Sequence, residues 1–454
     1  MPGRHTRVID LHRNEVKKFP PLRVRGEARS LRFLQLHSSA MESIRTTFAR
    51  LASWEPTRRV HRFLMPTLFV VGFGAYMSRR RGVLSRPALF AEDGQVFFLG
   101  SIRDGVRGIN DVYNGYLIVG TRTLAFLATL FPISWTPSTY AVLSGLVAVG
   151  CCAIATRSQL TWAFGGWIPR ALVFLALVFL PQITETHATL TNTIWWGGVG
   201  LLLIGLSDEP ITWWGRLGEL GFVVIVTLTG PIGIVLSPIV VWRLWRVRSP
   251  WTAVLTAAWA VSCLIQLVVL RGQERKVEPV TWGQDLSAVA IRRWFGPFTT
   301  GTAYVQSHLA GPAWSRLPLV LTVAFAFALF AIAVRGRDRG AGLVLLVLGA
   351  AQIVAGFVAL GPLAVYLPDR YTVGATASVI FIVAAARPTQ WPLRVIHVVL
   401  VVWMVVGWPR NVSVPHREAP SFAEAGRCLE QSNTTCRVPA IPDPFSFLVT
   451  PADR

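Results

Sequence analysis

Long runs without a charged residue constrain this chain more than any other feature of its sequence. Trp251–Leu270, Leu317–Val334 and Ala341–Leu360 contain no acidic or basic side chain. Each approaches the ~20 apolar residues that an α-helix needs to cross a bilayer. Only 15% of the residues are charged, against about 25% in soluble globular proteins. We therefore predict an all-α fold, a polytopic transmembrane helical bundle of about eleven spans.

The net charge of +21 comes almost entirely from arginine. Such an excess can indicate nucleic-acid binding, but these arginines lie mostly between the apolar runs. Basic residues accumulate in the cytoplasmic segments of membrane proteins, and this explains their placement better. We expect a multi-pass protein of the cytoplasmic membrane that contacts membrane lipids and no nucleic acid.

The stretch Gly115–Pro132 decides the sidedness of everything that follows it. It is apolar but is interrupted by Arg122 and ends at a proline. If it crosses the membrane, the region around Glu185 is cytoplasmic. If it lies in the interface as a juxtamembrane helix, the next span is Ser138–Ala155 and the arginine-rich loops face the cytoplasm. The second layout satisfies the positive-inside rule nearly everywhere, and we adopt it.

This layout predicts a cytoplasmic N-terminus and an external C-terminus. Residues 1–62 form a basic cytoplasmic arm, expected to be partly disordered, and residues 411–454 form a short external tail. Residues 63–410 form the membrane domain, with juxtamembrane helices in the first external loop. The external loops expected to carry the active site are 79–137, 182–191, 271–315 and 361–370.

The cysteines show no metal-binding pattern. Cys428 and Cys436 lie in the tail, where an oxidising compartment would allow a disulfide between them. Two free surface thiols are the alternative, and the sequence does not choose between the two.

Two adjacent carboxylates, Glu92 and Asp93, follow the first span closely. Arg103 and Arg107 are spaced so that they would share one face of a helix. Acids and arginines in this order suit a site that removes a proton and holds a phosphate. The alternative is that a carboxylate caps a surface helix while the arginines contact lipid headgroups.

A second group of polar residues, Glu185, His187, Asn192 and Trp195, is expected at an external span end. Ionisable groups at a membrane edge are costly unless they are paired or functional. The alternative is an interfacial polar cluster beside a tryptophan belt.

Arginines recur in the two later external loops. Arg292 and Arg293 lie among tryptophans, and Asp369-Arg370-Tyr371 ends a predicted loop. Arginine binds phosphate in a bidentate manner and stacks on aromatic rings. Solvated loop residues and a local Asp–Arg salt bridge are the alternatives.

Motifs of several other enzyme classes are missing from the sequence. It contains no P-loop, no G-x-G-x-x-G after a strand and no H-E-x-x-H. It has no G-x-S-x-G elbow, and no repeated halves of the kind found in many transporters.

The order of these features resembles the GT-C superfamily of polytopic glycosyltransferases. Members share a long first external loop with an acidic residue soon after span one, juxtamembrane helices, and often a second acidic residue in the next external loop. Phe90-Ala91-Glu92-Asp93 and Glu185 match the acidic positions, and Thr229-Gly230-Pro231 and Asp369-Arg370-Tyr371 are similar to segments of this group. The resemblance covers roughly residues 63–410, but the large soluble C-terminal domain of many members is missing.

The resemblance implies an enzyme that moves a sugar from a polyprenyl-phosphate donor to the hydroxyl of a glycan, lipid or protein acceptor outside the membrane. Asp93 is the implied base, with Glu92 as its substitute and Glu185 as a further catalytic candidate. The implied phosphate ligands are Arg103, Arg107, Arg292, Arg293 and Arg370. The implied sugar or acceptor contacts are His187, Asn192, Trp195, Asp369 and Tyr371.

No cofactor is required by this interpretation, although Glu185 and His187 leave a divalent cation open. A non-catalytic flippase or transporter for a lipid-linked glycan is the alternative function. A membrane scaffold that binds partners through its basic arm and tail is a third hypothesis.

Overall fold

The computed structural model describes residues 42, 43, 46, 47, 50–181, 183–272, 284–308, 316–360, 368–415, 421–431, 433–442 and 445–453. Most of the predicted arm, residues 273–283 and 309–315 of the third external loop, and residues 361–367 of the fourth lie outside the described residues. The chain from Ala52 onward forms one compact unit, and the account below concerns that unit.

Helices dominate this unit. The first ten are α1 (Arg58–Ser78), α2 (Leu99–Asp104), α3 (Val119–Ala128), α4 (Thr136–Ala153), α5 (Thr161–Phe164), α6 (Trp167–Val178), α7 (Thr193–Leu206), α8 (Trp213–Thr227), α9 (Ile232–Val235) and α10 (Ser237–Val247). The others are α11 (Pro250–Arg271), α12 (Gln284–Thr299), α13 (Thr302–Ser307), α14 (Arg316–Arg335), α15 (Arg339–Leu360), α16 (Val373–Ala385), α17 (Trp391–Gly407), α18 (Pro409–Val412) and α19 (Phe422–Gln431).

In the part of the chain that the structure describes, six short strands form three two-stranded sheets. They are β1 (Leu89–Phe90), β2 (Val112–Tyr113), β3 (Tyr116–Leu117), β4 (Cys436–Val438), β5 (Ala440–Ile441) and β6 (Phe447–Val449). The pairs are β1 with β5 in parallel, and β2 with β3 and β4 with β6 in antiparallel orientation.

The helical bundle is of the membrane-spanning kind. Among the described residues, five helices are long and apolar enough to cross a bilayer, or six if the helices Ser158–Phe164 and Trp167–Val178, bent by 88°, make one broken span. The sequence predicted about eleven. One reason for the lower count is that α7 and α17 are apolar but short. Another is that the apolar region around Gly230 is divided, because this residue has φ +91° and is followed by proline.

Two helices form the centre of the bundle. Nearly every residue of α7 and of α16 is buried, as expected of helices that are apolar on all sides. Small residues let neighbouring helices approach closely. At Gly205 an added Cβ would lie 2.5 Å from Ile239 Cγ1 of α10. The polar segment 183–192, which directly precedes α7, is therefore attached to the most rigid part of the fold.

One end of the bundle is held by buried charges. Arg243 Nη1 of α10 lies 2.5 Å from Glu219 Oε1 of α8, and both side chains are fully buried. Arg246 pairs with Asp208 at 2.8 Å and lies over the Trp162 ring, 4.1 Å from its centroid. Removing one partner of the fully buried Arg243–Glu219 pair would cost about 3–5 kcal/mol, because the other charge stays buried.

The stretch predicted to be a juxtamembrane helix returns to the end of the bundle from which it starts. Helix α3 has only 10 residues, too few to span the ~30 Å of hydrocarbon. Before it, Ile118 bridges to Thr229. After it, the Ser134 N–H donates to Glu430 of the tail at 2.8 Å. The residues that flank α3 therefore contact the segment before α9 and the C-terminal tail.

The first loop and the C-terminal tail share a hydrophobic core of their own. Phe98 makes edge contacts with Phe422 and Phe447, at ring-centroid distances of 6.2 Å and 6.3 Å. A disulfide joins Cys428 to Cys436 between α19 and β4. The tail thus packs against the loop that carries the first two candidate carboxylates.

Candidate functional site

A strained turn positions Glu92 and Asp93. Strand β1 ends at Phe90, and the next residue, Ala91, has φ +45°, a conformation that non-glycine residues rarely adopt. The Ala91 N–H donates to the Ile441 carbonyl of β5 at 2.7 Å. A π-helical turn, Asp93–Phe98, then begins. The tail therefore holds the backbone from which both carboxylates project.

Asp93 connects the first loop (residues 79–137) to the second loop (residues 182–191). Its Oδ1 accepts from the Thr191 N–H at 2.7 Å and from the Thr191 hydroxyl at 2.5 Å, and its Oδ2 accepts from the Leu190 N–H at 3.2 Å. The residue is only 2% exposed. Burial raises the pKa of Asp93 to about 6, against the three hydrogen bonds, which lower it. Both oxygens are already occupied, so Asp93 is best suited to positioning the neighbouring loop.

Glu92, one residue earlier, has the opposite surroundings. It is half-buried, and its Oε2 is shielded from solvent yet accepts no hydrogen bond from the described residues. The Tyr113 hydroxyl lies beside the carboxylate. Burial and then the charge of Glu92 raise the pKa of Tyr113 to about 12. Glu92 thus has a carboxylate oxygen with unused acceptor capacity.

Glu185 and Arg370 meet at the same place. Glu185 Oε2 lies 3.5 Å from Arg370 Nη1, and the two side chains are 30% and 26% exposed. Burial lowers the pKa of Arg370, but the charges of Glu185, Tyr371 and Glu92 together raise it above its usual value. The contact between Glu185 and Arg370 therefore joins the second loop to the segment before α16, and Glu92 of the first loop lies within electrostatic range of the same guanidinium.

A second arginine–carboxylate pair lies next to this group. Arg293 Nη1 of α12 is 2.5 Å from Asp369 Oδ1, and their side chains are 7% and 4% exposed. The charge of Glu185 also acts on Arg293. Arg292 is half-buried and, as the adjacent helical residue, points in a different direction. Arg293 fixes the segment that carries Arg370.

Two aromatic rings border Arg370. The Trp195 and Tyr371 rings meet edge to face with centroids 4.9 Å apart, and the Arg370 guanidinium lies 5.4 Å from the Tyr371 centroid. Four residues that the sequence analysis took from distant loops, Glu92, Glu185, Arg370 and Tyr371, therefore belong to one cluster.

His187 and Asn192 support the second loop. His187 is fully buried, its Nε2 donates to the Tyr76 carbonyl at 2.7 Å, and its ring stacks on the Tyr76 ring at 4.5 Å. The Asn192 amide donates to the Glu185 carbonyl at 3.1 Å and to the Thr189 hydroxyl at 3.0 Å. These bonds shape the loop that carries Glu185, and the role of His187 and Asn192 in contacting the sugar or acceptor stays a prediction.

Arg103 and Arg107 do not share a helical face as predicted. Helix α2 ends at Asp104, and Gly105 has φ +55°, a reversal that L-residues avoid. Arg103 is exposed and pairs with Asp104 at 2.8 Å, and Arg107 is exposed on a following 3₁₀ turn. The spacing predicted a continuous helix, and the glycine interrupts it.

Two further arginines directly after α1 support this region: Arg79 binds the end of α6 and the end of α18, and Arg80 binds the second loop. Arg79 donates to the carbonyls of Val412, Val178, Leu180 and Asn411 at 2.8–3.0 Å. Arg80 donates to the carbonyls of His187 and Thr184. The only signal in the sequence was the run of arginines directly after the first span, which predicts exposed residues.

The described residues bring no three His, Cys, Asp or Glu side chains together as a metal site. The cluster instead combines a half-buried carboxylate with acceptor capacity, a guanidinium in contact with the Glu185 carboxylate, and two aromatic rings. Such a set can accept a proton and neutralise a phosphate within one site. No protein-family model, curated protein or solved structure matches this chain.

Proposed function

We propose that this chain is a membrane glycosyltransferase that transfers a sugar from a polyprenyl-phosphate donor to an acceptor hydroxyl. The observation that supports it is the convergence of Glu92 and Glu185 on Arg370, among helices of membrane-spanning length. A base and a phosphate-binding cation close together are what displacement of a sugar from a phosphate requires.

Glu92 is the base in this proposal. It takes the proton of the acceptor hydroxyl while the acceptor oxygen bonds to the anomeric carbon. The bond from that carbon to the phosphate oxygen breaks, and polyprenyl phosphate leaves with the electron pair. A single displacement of this kind inverts the anomeric centre. The resemblance favoured Asp93, but Asp93 would have to give up hydrogen bonds to Leu190 and Thr191 to act as the base.

Arg370 is the phosphate ligand. Its contact with Glu185 at 3.5 Å is longer than the 2.7–2.9 Å of a strong charge-assisted hydrogen bond, so a phosphate competes for it easily. Arg293 is bound to Asp369 at 2.5 Å and buried, so it positions Arg370 and does not exchange partners. The rings of Trp195 and Tyr371 would pack against the sugar.

The test uses the purified full chain with undecaprenyl phosphate carrying one radiolabelled sugar from a panel of hexoses and pentoses, offered to native membrane extract as acceptor. We expect Glu92→Gln to lower transfer by about 10²-fold or more, the range for loss of a general base. Asp104→Asn is the matched control, since Asp104 lies on the same loop and pairs with exposed Arg103.

Binding of sugar-free undecaprenyl phosphate separates the two roles. Glu92→Gln is expected to keep this binding and Arg370→Gln to weaken it. Full transfer by Glu92→Gln would refute the assignment of the base. Tight donor binding without transfer of any sugar by the wild type would favour the flippase or transporter alternative.

A further inference from the structure

A groove beside the candidate site is lined by both arginines and apolar residues. It lies between the segment after α1, the start of α4, the second loop and β5. Of the described residues that line it, three are arginines, Arg80, Arg81 and Arg86, and none is acidic. In the candidate site Arg80 only supports the second loop, and Arg81 and Arg86 take no part.

The three arginines differ in burial: Arg80 is buried, whereas Arg81 and Arg86 are exposed. The Arg80 nitrogens donate to the carbonyls of His187 and Thr184. Carbonyls carry no net charge, so these bonds leave its positive charge in place. Arg81 and Arg86 are exposed, and no described carboxylate forms an ion pair with Arg86. The groove therefore concentrates positive charge where an anion can enter.

Part of the groove lining belongs to a helix of membrane-spanning length. Pro137 and Ala141 lie at the start of the candidate span Ile133–Thr156, and the arginines follow the end of the candidate span Arg58–Ser78. Exposed apolar residues surround this level, with Leu84 50% and Trp135 60% exposed. Exposed tryptophan at a span end is typical of the lipid headgroup region. The groove therefore opens where the head and the chain of a lipid meet.

We propose that this groove binds the phosphate of an anionic phospholipid of the surrounding bilayer, with Arg81 and Arg86 on the phosphate and the acyl chains along Pro137 and Ala141. The chemistry that selects the ligand is a negative charge joined to an apolar chain. Arginine is well suited to a phosphate because its planar fork matches two oxygens. This inference does not depend on the proposed transfer reaction.

The test is native mass spectrometry of the detergent-purified full chain, titrated with dioleoyl phosphatidylglycerol. We expect Arg81→Gln/Arg86→Gln to raise the Kd of the tightest-bound lipid by about tenfold or more. The matched control is Arg335→Gln/Arg337→Gln, two exposed arginines at the connection between α14 and α15. Ala88→Trp fills the groove without changing the charge, and it is also expected to weaken binding.

Three further ligands identify the source of the phosphate. Dioleoyl phosphatidylcholine is expected to bind weakly, and millimolar inorganic phosphate is expected not to displace phosphatidylglycerol. Unchanged lipid binding in Arg81→Gln/Arg86→Gln would overturn the proposal. Displacement by inorganic phosphate would overturn it too, as would tighter binding of undecaprenyl phosphate with the same arginine dependence.

Discussion

Neighbouring carboxylates show how far environment separates two chemically similar residues. Asp93 is buried with both oxygens hydrogen-bonded to the second loop, whereas Glu92 is half-buried with acceptor capacity left. The raised pKa of Asp93 by itself suits a general base near neutral pH. Geometry decides against this role, because the hydroxyl of an acceptor cannot reach oxygens that already hold the loop. This contrast is the reason for the proposal that Glu92 acts as the base and that Asp93 positions the second loop.

The titration of Asp93 gives the first expected outcome. Its pKa is raised from 3.8 to about 6 in the folded protein, so the folded state binds this proton more tightly than the unfolded state. Stability from this group is therefore present below about pH 4 and is lost as the pH rises to about 6, by up to about 3 kcal/mol. Thermal unfolding from pH 4 to 7 should show this loss in the wild type relative to Asp93→Asn, which cannot titrate. Parallel curves for the two proteins would contradict it.

The buried pair of Arg293 and Asp369 gives the second expected outcome, which concerns stability. Removing one partner leaves the other charge buried and unpaired, at a cost of about 3–5 kcal/mol. Replacing both by apolar residues removes that cost, so Arg293→Met/Asp369→Leu should unfold at a higher temperature than either Arg293→Met or Asp369→Leu. Additive losses in the double variant would show that the pair is not coupled as its 2.5 Å contact indicates.

At the scale of elements, the first loop and the C-terminal tail pack together, although about 350 positions separate them in the sequence. Strands β1 and β5 pair Leu89 with Ala440 and Phe90 with Ile441. A Cβ added at Gly94 would lie 2.4 Å from Phe447 Cε1, so the tail packs directly on the turn after Asp93. The tail thus supports the backbone turn that carries Glu92 and Asp93.

The disulfide in this unit gives the third expected outcome. Cys428 and Cys436 are separated by 8 residues, and closing so short a loop stabilises a fold by about 2–3 kcal/mol in the chain-entropy description. Reductant, or Cys428→Ser/Cys436→Ser, should therefore speed proteolysis of the tail. Cys151→Ala/Cys152→Ala/Cys263→Ala is the control, because these cysteines are free and buried. Reductant should speed proteolysis equally in the wild type and in the triple alanine control. It should have no effect on the Cys428→Ser/Cys436→Ser variant, which has no bond to reduce.

At the scale of the whole molecule, the helices have two distinct ends. Contacts among Glu92, Glu185, Arg370 and the tail define one end. The ion pairs of α8 and α10 define the other. Because both ends of α3 belong to the first, the acidic residues of the first and second loops meet at one end of the bundle.

Cysteine labelling tests this arrangement in a membrane. Single cysteines at Asn110 and Ser413, exposed at the first end, and at Ile211 and Arg337, exposed at the second, would be treated with an impermeant maleimide on intact cells. The background would lack the three free cysteines. We expect labelling at Asn110 and Ser413 only, since the layout makes their end external. Labelling of Ile211 together with Asn110 would mean that α3 crosses the membrane and would separate Glu92 from Glu185.

The sequence by itself determined the class of the molecule, the order of its apolar helices and the residue types of the site. These properties depend on local composition and on the cost of placing charge in lipid, both readable along the chain. It also indicated Glu92, Glu185 and Arg370 as candidates, through their places at predicted span ends.

Only the tertiary structure decided how those residues are used. Whether Glu92 or Asp93 has a free oxygen depends on Leu190 and Thr191, about a hundred positions away in the chain. The helix that would have placed Arg103 and Arg107 on one face ends before Gly105. The His187 ring donates its hydrogen bond to the Tyr76 carbonyl. The reversal at Gly105 is local, whereas hydrogen bonds and packing between distant segments set the surroundings of Asp93 and His187, and neither spacing nor composition encodes which segments will meet.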